Sequence, residues 1–277
     1  AGRIWSRGGD RESERRQPGG GTDVLILPPS QWSSVSTQSD EWTAAAVREL
    51  HDELVSLYEP VEREAGESQD TGADPEGEHG TTADARGVRQ LVTTILSQNV
   101  ADENTRRAAE NLFTTYEDYR AIEEAPVEEL AETVRVAGLP ETKAERIQRS
   151  LAAIREETGG AYSLAFLDAL PTSAAKSWLT DIKGIGPKTA SVVLNFHFGK
   201  PTMAVDTHVE RVSKRFGLVP ASASNQRAHD VLDEVIPDEL KYPLHVLLIR
   251  HGRTHCSARS PDCDNPVCAT YCDCEEC

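Results

Sequence analysis

Apolar residues recur at helical spacing through most of the chain, and this pattern predicts an all-α protein. From residue 87 onward, such segments follow one another with short breaks, and no alternating run indicates a strand. An earlier helix is predicted before residue 60 by the spacing of Trp42, Val47, Leu50, Leu54 and Leu57. The later segments are 88–96, 102–116, 127–136, 141–157, 174–182, 188–198, 207–216, 228–235 and 242–251.

Two polar segments flank the first helix, which occupies 42–61. Residues 1–41 are rich in Gly, Arg, Ser, Gln and Pro and are predicted to be a disordered polar tail. Residues 62–85 are acidic, contain Gly and carry almost no large apolar residue, so an acidic loop is predicted there. No run of 18 apolar residues and no signal pattern is present, which predicts a cytoplasmic protein without a membrane span.

The charge balance argues against a nucleic-acid partner when taken alone. The net charge is −17, with 7 Lys against 22 Arg, whereas DNA-binding proteins usually carry excess positive charge that displaces counterions from phosphates. An acidic, lysine-poor chain is also typical of a salt-accumulating cell, where surface carboxylates keep molecules hydrated and apart. The composition therefore leaves open either a halophilic host or a protein that does not bind DNA.

All cysteines lie in the last 22 residues of the chain. Clustered thiols without a secretory signal favour a metal site over disulfides. Four thiolates hold either zinc or a [4Fe–4S] cluster, and the alternative is a set of inert thiols. The six residues are Cys256, Cys263, Cys268, Cys272, Cys274 and Cys277.

The segment 178–198 predicts a helix-hairpin-helix. Its turn contains Gly184, Ile185 and Gly186, followed by Pro187, which suits the first position of the next helix. The glycines leave backbone amides bare at a helix start, where they form a phosphate-sized anion site, while Ile185 points inward. Such a hairpin grips the DNA backbone without reading sequence. The alternative is a plain glycine turn between packed helices.

Several motifs together resemble the endonuclease III family of base-excision glycosylases. They are GIGPKTASVVLN at 184–195, PTMAVDTHVERV at 201–212, HGRTHC at 251–256, LSQNVADEN at 96–104 and AGLPETKAERI at 137–147. The resemblance runs from about residue 88 to the C-terminus. It implies two helical lobes: a six-helix barrel over 86–200, and a cluster lobe that joins 42–61 to 201–277. It also implies a monomer that removes oxidised pyrimidines from double-stranded DNA and cleaves abasic sites by β-elimination.

The resemblance implies that Lys188 is the nucleophile and Asp206 its carboxylate partner. Lys188 lies at a predicted helix start, where the peptide dipoles disfavour an ammonium group and so favour the free amine that attacks. The alternative for Lys188 is an ordinary surface lysine. Asp206 is also a candidate N-cap, but Thr207 and Glu210 have the spacing of a capping box that would leave Asp206 free to face the cleft.

Further DNA contacts follow from the same resemblance. A polar wedge that fills the gap left by an extruded base is placed at Gln98 or Asn99, which alternatively cap carbonyls at a helix end. His208 is expected to contact DNA. The basic residues that follow it on the next helix either touch phosphates or form a solvated face, and they are Arg211, Lys214 and Arg215.

The cysteine spacing departs from the family pattern C-x6-C-x2-C-x5-C. The first interval fits, but the third position would fall on Pro266. An insertion of two residues makes Cys256, Cys263, Cys268 and Cys274 the expected ligands of a [4Fe–4S] cluster. Cys272 and Cys277 are rivals for the fourth position. The cluster is expected to have a structural or redox role.

Two rival classes of function remain. Adenine-mismatch glycosylases of the same superfamily lack the lysine and carry a catalytic Glu on the early helix, where this chain has Thr93 and Thr94. A non-catalytic iron–sulfur protein that binds DNA has no need of the Lys188 and Asp206 pair. Both features favour the glycosylase with lyase activity, and the lesion it prefers is left open.

Overall fold

The computed structural model describes residues 42–62 and 83–272, which contain helices and no strand. The predicted all-α class is thus confirmed. The α-helices of these two ranges are α1 Ala44–Tyr58, α2 Ala83–Leu96, α3 Asp102–Thr115, α4 Tyr119–Glu124, α5 Val127–Thr133, α6 Pro140–Glu157, α7 Phe166–Ala169, α8 Thr172–Asp181, α9 Pro187–Val192, α10 Thr207–Arg215, α11 Asn225–Val235, α12 Lys241–Thr254 and α13 Pro266–Tyr271. Short 3-10 turns cover Arg135–Ala137 and Asp238–Leu240, and a π-helical segment, Val193–His197, extends α9.

Each helix predicted from the apolar spacing is present. Three short helices, α4, α7 and α13, were not predicted because they span too few turns to show a period of 3.6. Helix α2 begins at Ala83, so the loop predicted over 62–85 is wrong in its last three residues. The predicted tail 1–41 and residues 63–82 lie outside the described residues. Within the described ranges, no helix has the length and apolar character needed to cross a bilayer.

The first lobe comprises α2 to α9 and the π segment, packed around one apolar core. The face of α2 that points into this core carries Val88, Leu91, Val92 and Ile95, all fully buried. They pack with side chains from four other helices: Leu112, Ile147, Leu151, Leu179, Val193 and Leu194. This lobe positions the hairpin between α8 and α9.

The second lobe comprises α1 and α10 to α13. The apolar face of α1 buries Val47, Leu50 and Leu54 against the core built by the C-terminal helices, although α1 precedes the first lobe in sequence. Helices α10 and α12 approach closely at Gly252, where a Cβ would lie 2.8 Å from His208 Cβ. A larger residue at 252 would push these helices apart.

The two lobes are joined by a half-buried ion pair and by ring contacts. Lys176 Nζ of α8 lies 2.6 Å from Asp233 Oδ2 of α11, and Asp233 Oδ1 accepts from the amide of Met203 at 2.5 Å. Phe196 of the π segment packs edge-on against Tyr242 and His245 of α12, with ring centroids 5.1 and 5.4 Å apart. These contacts join α8 and the π segment to α11 and α12.

Candidate functional site

The loop between α8 and α9 has the geometry predicted for the hairpin. Gly184 adopts φ +104°, and a Cβ there would lie 2.7 Å from Arg146 Cγ, so glycine is required both by the backbone and by the neighbour. Ile185 is 4% exposed and packs into the first core. Gly186 is exposed, and a Cβ there would meet nothing within 4 Å. The outer face of the turn is therefore bare backbone.

Lys188 is the second residue of α9, as predicted for a lysine at a helix start. The N-cap residue is Gly186, and no side chain caps this helix. The Lys188 side chain is exposed and makes no hydrogen bond or ion pair with any described residue. Its amine is thus open to a ligand.

Asp206 is the N-cap of α10, and the predicted capping box is wrong. Asp206 Oδ1 accepts from the amides of His208 and Val209, at 2.9 and 2.8 Å. Glu210 instead accepts from Lys214 Nζ at 2.7 Å and from Asn225 Nδ2 at 2.7 Å. Because both amides share Oδ1, Asp206 Oδ2 takes no hydrogen bond from the described residues. The carboxylate therefore caps the helix with Oδ1, while Oδ2 remains available to a ligand.

His245 lies beneath the site and was missed by the sequence analysis. It is 5% exposed, and its Nδ1 lies 2.7 Å from the carbonyl oxygen of Ala204, so Nδ1–H donates and Nε2 carries the lone pair. Burial lowers its pKa below the ordinary value; the carbonyl bond and Asp206 oppose this, and Lys188 adds to it. Both predicted catalytic side chains thus act on one neutral imidazole. Its only sequence signal is a histidine at a core position of α12.

Gln98 lies in the turn after α2, and its amide points to α9. Gln98 Oε1 accepts from Arg146 Nη1 at 2.5 Å, and Gln98 Nε2 lies 3.2 Å from Thr189 Oγ1. The alternative in which Gln98 caps carbonyls of its own helix is wrong. Asn99 is exposed and adopts φ +57°, which turns the chain sharply at this point.

The Gln98 turn rests on a buried lysine. Lys143 is 1% exposed, and its Nζ donates to the carbonyl oxygens of Leu96 and Ala137, both at 2.6 Å. Burial, with a smaller contribution from Arg146, lowers the pKa of Lys143 to about 8. The last carbonyl of α2 is therefore held to α6.

The basic residues of α10 are half-buried and make contacts within the protein. Arg211 donates to the carbonyl oxygens of Cys256 and Gly252, at 2.8 and 2.9 Å, and its Nη2 lies 3.1 Å from His208 Nδ1. Arg215 Nη1 lies 3.0 Å from Cys256 Sγ. The two arginines hold the start of the cysteine segment against α10, and Lys214 pairs with Glu210.

Two buried sulfurs lie beside one phenol and one imidazole. Cys256 and Cys268 are 2% and 4% exposed. His251 Nε2 lies 3.3 Å from Cys268 Sγ, and Tyr58 Oη lies 2.9 Å from His251 Nδ1. Burial lowers the pKa of His251 to about 4, and burial and the two thiols raise the pKa of Tyr58. A neutral imidazole that accepts from Tyr58 and donates to Cys268, with Arg215 on the other sulfur, suits thiolates that bind a metal.

The other predicted ligands and their rivals follow Cys256 in the C-terminal segment. Cys263 is half-buried. Cys272 is half-buried at the end of α13. Cys274 and its rival Cys277 lie outside the described residues. Within 42–62 and 83–272, no three side chains of His, Cys, Asp or Glu converge as a metal site.

Comparison with known proteins agrees with this geometry. Residues 92–238 match the family described as HhH-GPD superfamily base excision DNA repair protein. Endonuclease III of Thermotoga maritima is 32% identical over 185 residues, which cover 67% of this chain and 82% of that protein. Endonuclease III of Bacillus subtilis is 38% identical over 176 residues, which cover 62% of this chain and 74% of that protein.

Two solved structures of endonuclease III bound to DNA are also similar to this chain. A trapped endonuclease III–DNA covalent intermediate matches with a TM-score of 0.64 and 30% identity, covering 83% of this chain and 96% of that chain. A non-covalent endonuclease III–DNA complex matches with a TM-score of 0.63 and 29% identity, covering 83% and 95%. The family match spans more than half of the chain. The chain therefore belongs to the HhH-GPD superfamily of base excision DNA repair proteins, and within it to the endonuclease III family.

Proposed function

We propose that this protein removes oxidised pyrimidines from double-stranded DNA and then cleaves the abasic strand. The observation that carries the proposal is the placement of Lys188, an exposed amine at the start of the helix that leaves the bare glycine hairpin. Asp206 caps a helix of the other lobe, and both Lys188 and Asp206 act electrostatically on the buried His245. DNA lies across the cleft between the lobes.

The hairpin supplies the grip on the DNA backbone. Gly186 leaves its amide uncovered, and the first amides of α9 lack a side-chain cap, so both suit a phosphate oxygen. Amide donors carry no net charge, which reconciles a chain of net charge −17 with a DNA substrate. Gln98 and Asn99 occupy the turn that faces the stack, and one of them fills the space of the extruded base.

The chemistry begins with the free amine of Lys188. Its Nζ bonds to the sugar C1′ as the bond from C1′ to the damaged base breaks, and the base leaves with the electron pair and takes a proton. The bond between C1′ and the ring oxygen then opens as the lone pair of Nζ forms the C=N bond, and the ring oxygen takes a proton, which leaves a protonated Schiff base. Loss of a 2′ proton expels the 3′ phosphate by β-elimination, and water later releases Lys188.

Asp206 assists at two points. Its uncapped Oδ2 stabilises the positive charge that develops at C1′ and accepts the proton that the attacking amine loses. The two amides on Oδ1 fix the direction of the carboxylate. His245 stays neutral beneath the pair, so it adds no competing positive charge.

The residues of the second lobe fit a cluster-binding role. Cys256 and Cys268, with Cys263 and Cys274, are the proposed ligands of a [4Fe–4S] cluster, which when bound crosslinks the C-terminal segment and supplies electron-transfer chemistry. Arg211 and Arg215 join that segment to α10, whose first turn carries Asp206 and His208. Base removal and strand cleavage use Lys188 and Asp206.

Chemical trapping tests the proposed reaction. Borohydride is expected to reduce the Schiff base and join the protein covalently to a duplex that carries an oxidised pyrimidine. Lys188→Gln abolishes the adduct and retains DNA binding. Lys200→Gln is the matched control, because the Lys200 amine is engaged by the carbonyl oxygens of Asp168 and Leu170. Full trapping by Lys188→Gln would refute the assignment of the nucleophile.

A further inference from the structure

Arg146 links the DNA-binding hairpin to the turn that carries Gln98. Its aliphatic stem packs across Gly184, within 3.0 Å of the space that a Cβ would occupy. Its guanidinium donates to Gln98 Oε1 at 2.5 Å. One side chain on α6 therefore contacts two loops that lie 86 residues apart in sequence.

The neighbours of Arg146 on α6 hold the same two loops by their main chains. One turn earlier, Lys143 donates to the carbonyl of Leu96, directly before the Gln98 turn. One turn later, Arg149 Nη1 donates to the carbonyl of Lys183 in the hairpin at 3.0 Å. Positions i, i+3 and i+6 share a helix face, so this face sets the spacing of hairpin and turn. Lys143 and Arg149 bind main-chain carbonyl oxygens, whereas Arg146 binds the side chain of Gln98.

These contacts fix which end of the Gln98 amide is the oxygen and which is the nitrogen. The carbonyl oxygen faces the guanidinium of Arg146, which can only donate, and the NH₂ group faces Thr189 Oγ1, beside Lys188. Without Arg146, the amide is free to rotate about χ3 and lose its fixed direction. A mobile Gln98 side chain must be ordered during the reaction, which costs conformational entropy. A Gln98 side chain that Arg146 already holds in place does not add this cost to the reaction.

We propose that Arg146 is a positioning residue for base extrusion: it holds the Gln98 amide in the orientation in which Gln98 replaces the damaged base in the DNA stack. The inference rests on the proposed function. Arg146 acts through Gln98, and it is neither a nucleophile nor a ligand of the damaged base. Its effect is confined to substrates whose base must be removed from the stack.

The test compares Arg146→Met with the wild-type protein under single-turnover conditions. Methionine keeps an unbranched stem over Gly184 and removes the donors. Excision of a paired oxidised pyrimidine is expected to slow by roughly tenfold, as for loss of a charge-assisted hydrogen bond. Cleavage of a duplex with a preformed abasic site, which has no base to extrude, is expected to change by less than about twofold. Arg146→Lys restores part of the lost rate.

Two further variants separate positioning from other roles. In a Gln98→Ala background, Arg146→Met is expected to add little, because its target is gone. Arg149→Met is the matched control: it loosens the hairpin, so it lowers the rates on both substrates by the same factor. Equal losses for Arg146→Met on both substrates, or an undiminished effect beside Gln98→Ala, would overturn the inference. A wild-type protein that excises no oxidised pyrimidine would instead refute the proposed function.

Discussion

The charge on Lys143 should appear directly in the pH dependence of stability. This lysine is 1% exposed, and burial lowers its pKa from 10.5 to about 8. The folded state therefore binds fewer protons than the unfolded chain between these values, so the free energy of unfolding rises with pH across that window. The full shift corresponds to about 3 kcal/mol, at 1.36 kcal/mol per pKa unit.

Most of this gain is reached by pH 10. Above that value, the burial of Tyr58 and Tyr162, which raises their pKa, works in the opposite direction, since the unfolded phenols ionise first. The measurement is the free energy of unfolding in urea at pH 7 to 10. For the wild-type protein, the Lys143 contribution to this value should grow by about 2 to 3 kcal/mol over that range.

The variant Lys143→Met isolates the contribution. Its stability relative to wild type should fall by the same 2 to 3 kcal/mol from pH 7 to 10, because only the wild-type protein gains from losing the buried charge. Lys183→Met is the matched control, because Lys183 is exposed and its removal should leave the pH profile parallel to wild type. If Lys143→Met and wild type also run parallel, Lys143 is not desolvated in the way that its burial requires.

Three other outcomes follow from the structure. Protein purified under reducing, anaerobic conditions should contain about four iron atoms per chain and absorb at roughly 400 nm, and Cys256→Ser should lose both signals. Stoichiometric zinc without iron would contradict the cluster. Gly184→Ala should weaken DNA binding and lower the melting temperature far more than Gly186→Ala does, since only position 184 combines φ +104° with a clash at Arg146. Binding and melting curves of the two variants decide this. The excision rate and the melting temperature should keep their low-salt values in KCl up to the order of 1 M. Binding through bare amides depends less on counterion release than binding through cationic side chains does, and salt screens the repulsion within a chain of net charge −17. A steady fall of both quantities would require another reason for the acidity.

The sequence by itself determined the helices and the hairpin. Apolar spacing is a local property of a few turns, so α1, α3, α6 and α10 were predicted within a few residues of their ends. The turn around Gly184 was predicted because glycine permits a positive φ and proline fixes φ at the next helix start, and both residues lie within a few positions of each other. Helices of one or two turns, such as α13, lack enough residues to show a period.

Only the tertiary structure decided what the polar side chains contact. Asp206, rather than Thr207, caps α10, and Arg211 and Arg215 hold the cysteine segment instead of facing solvent. Gln98 meets Arg146 and Thr189, which are 48 and 91 residues away in sequence. Long polar side chains have many rotamers, and local sequence does not select among them. The partner is chosen when packing of the two cores brings distant backbones together, because a polar group buried there must find a hydrogen bond.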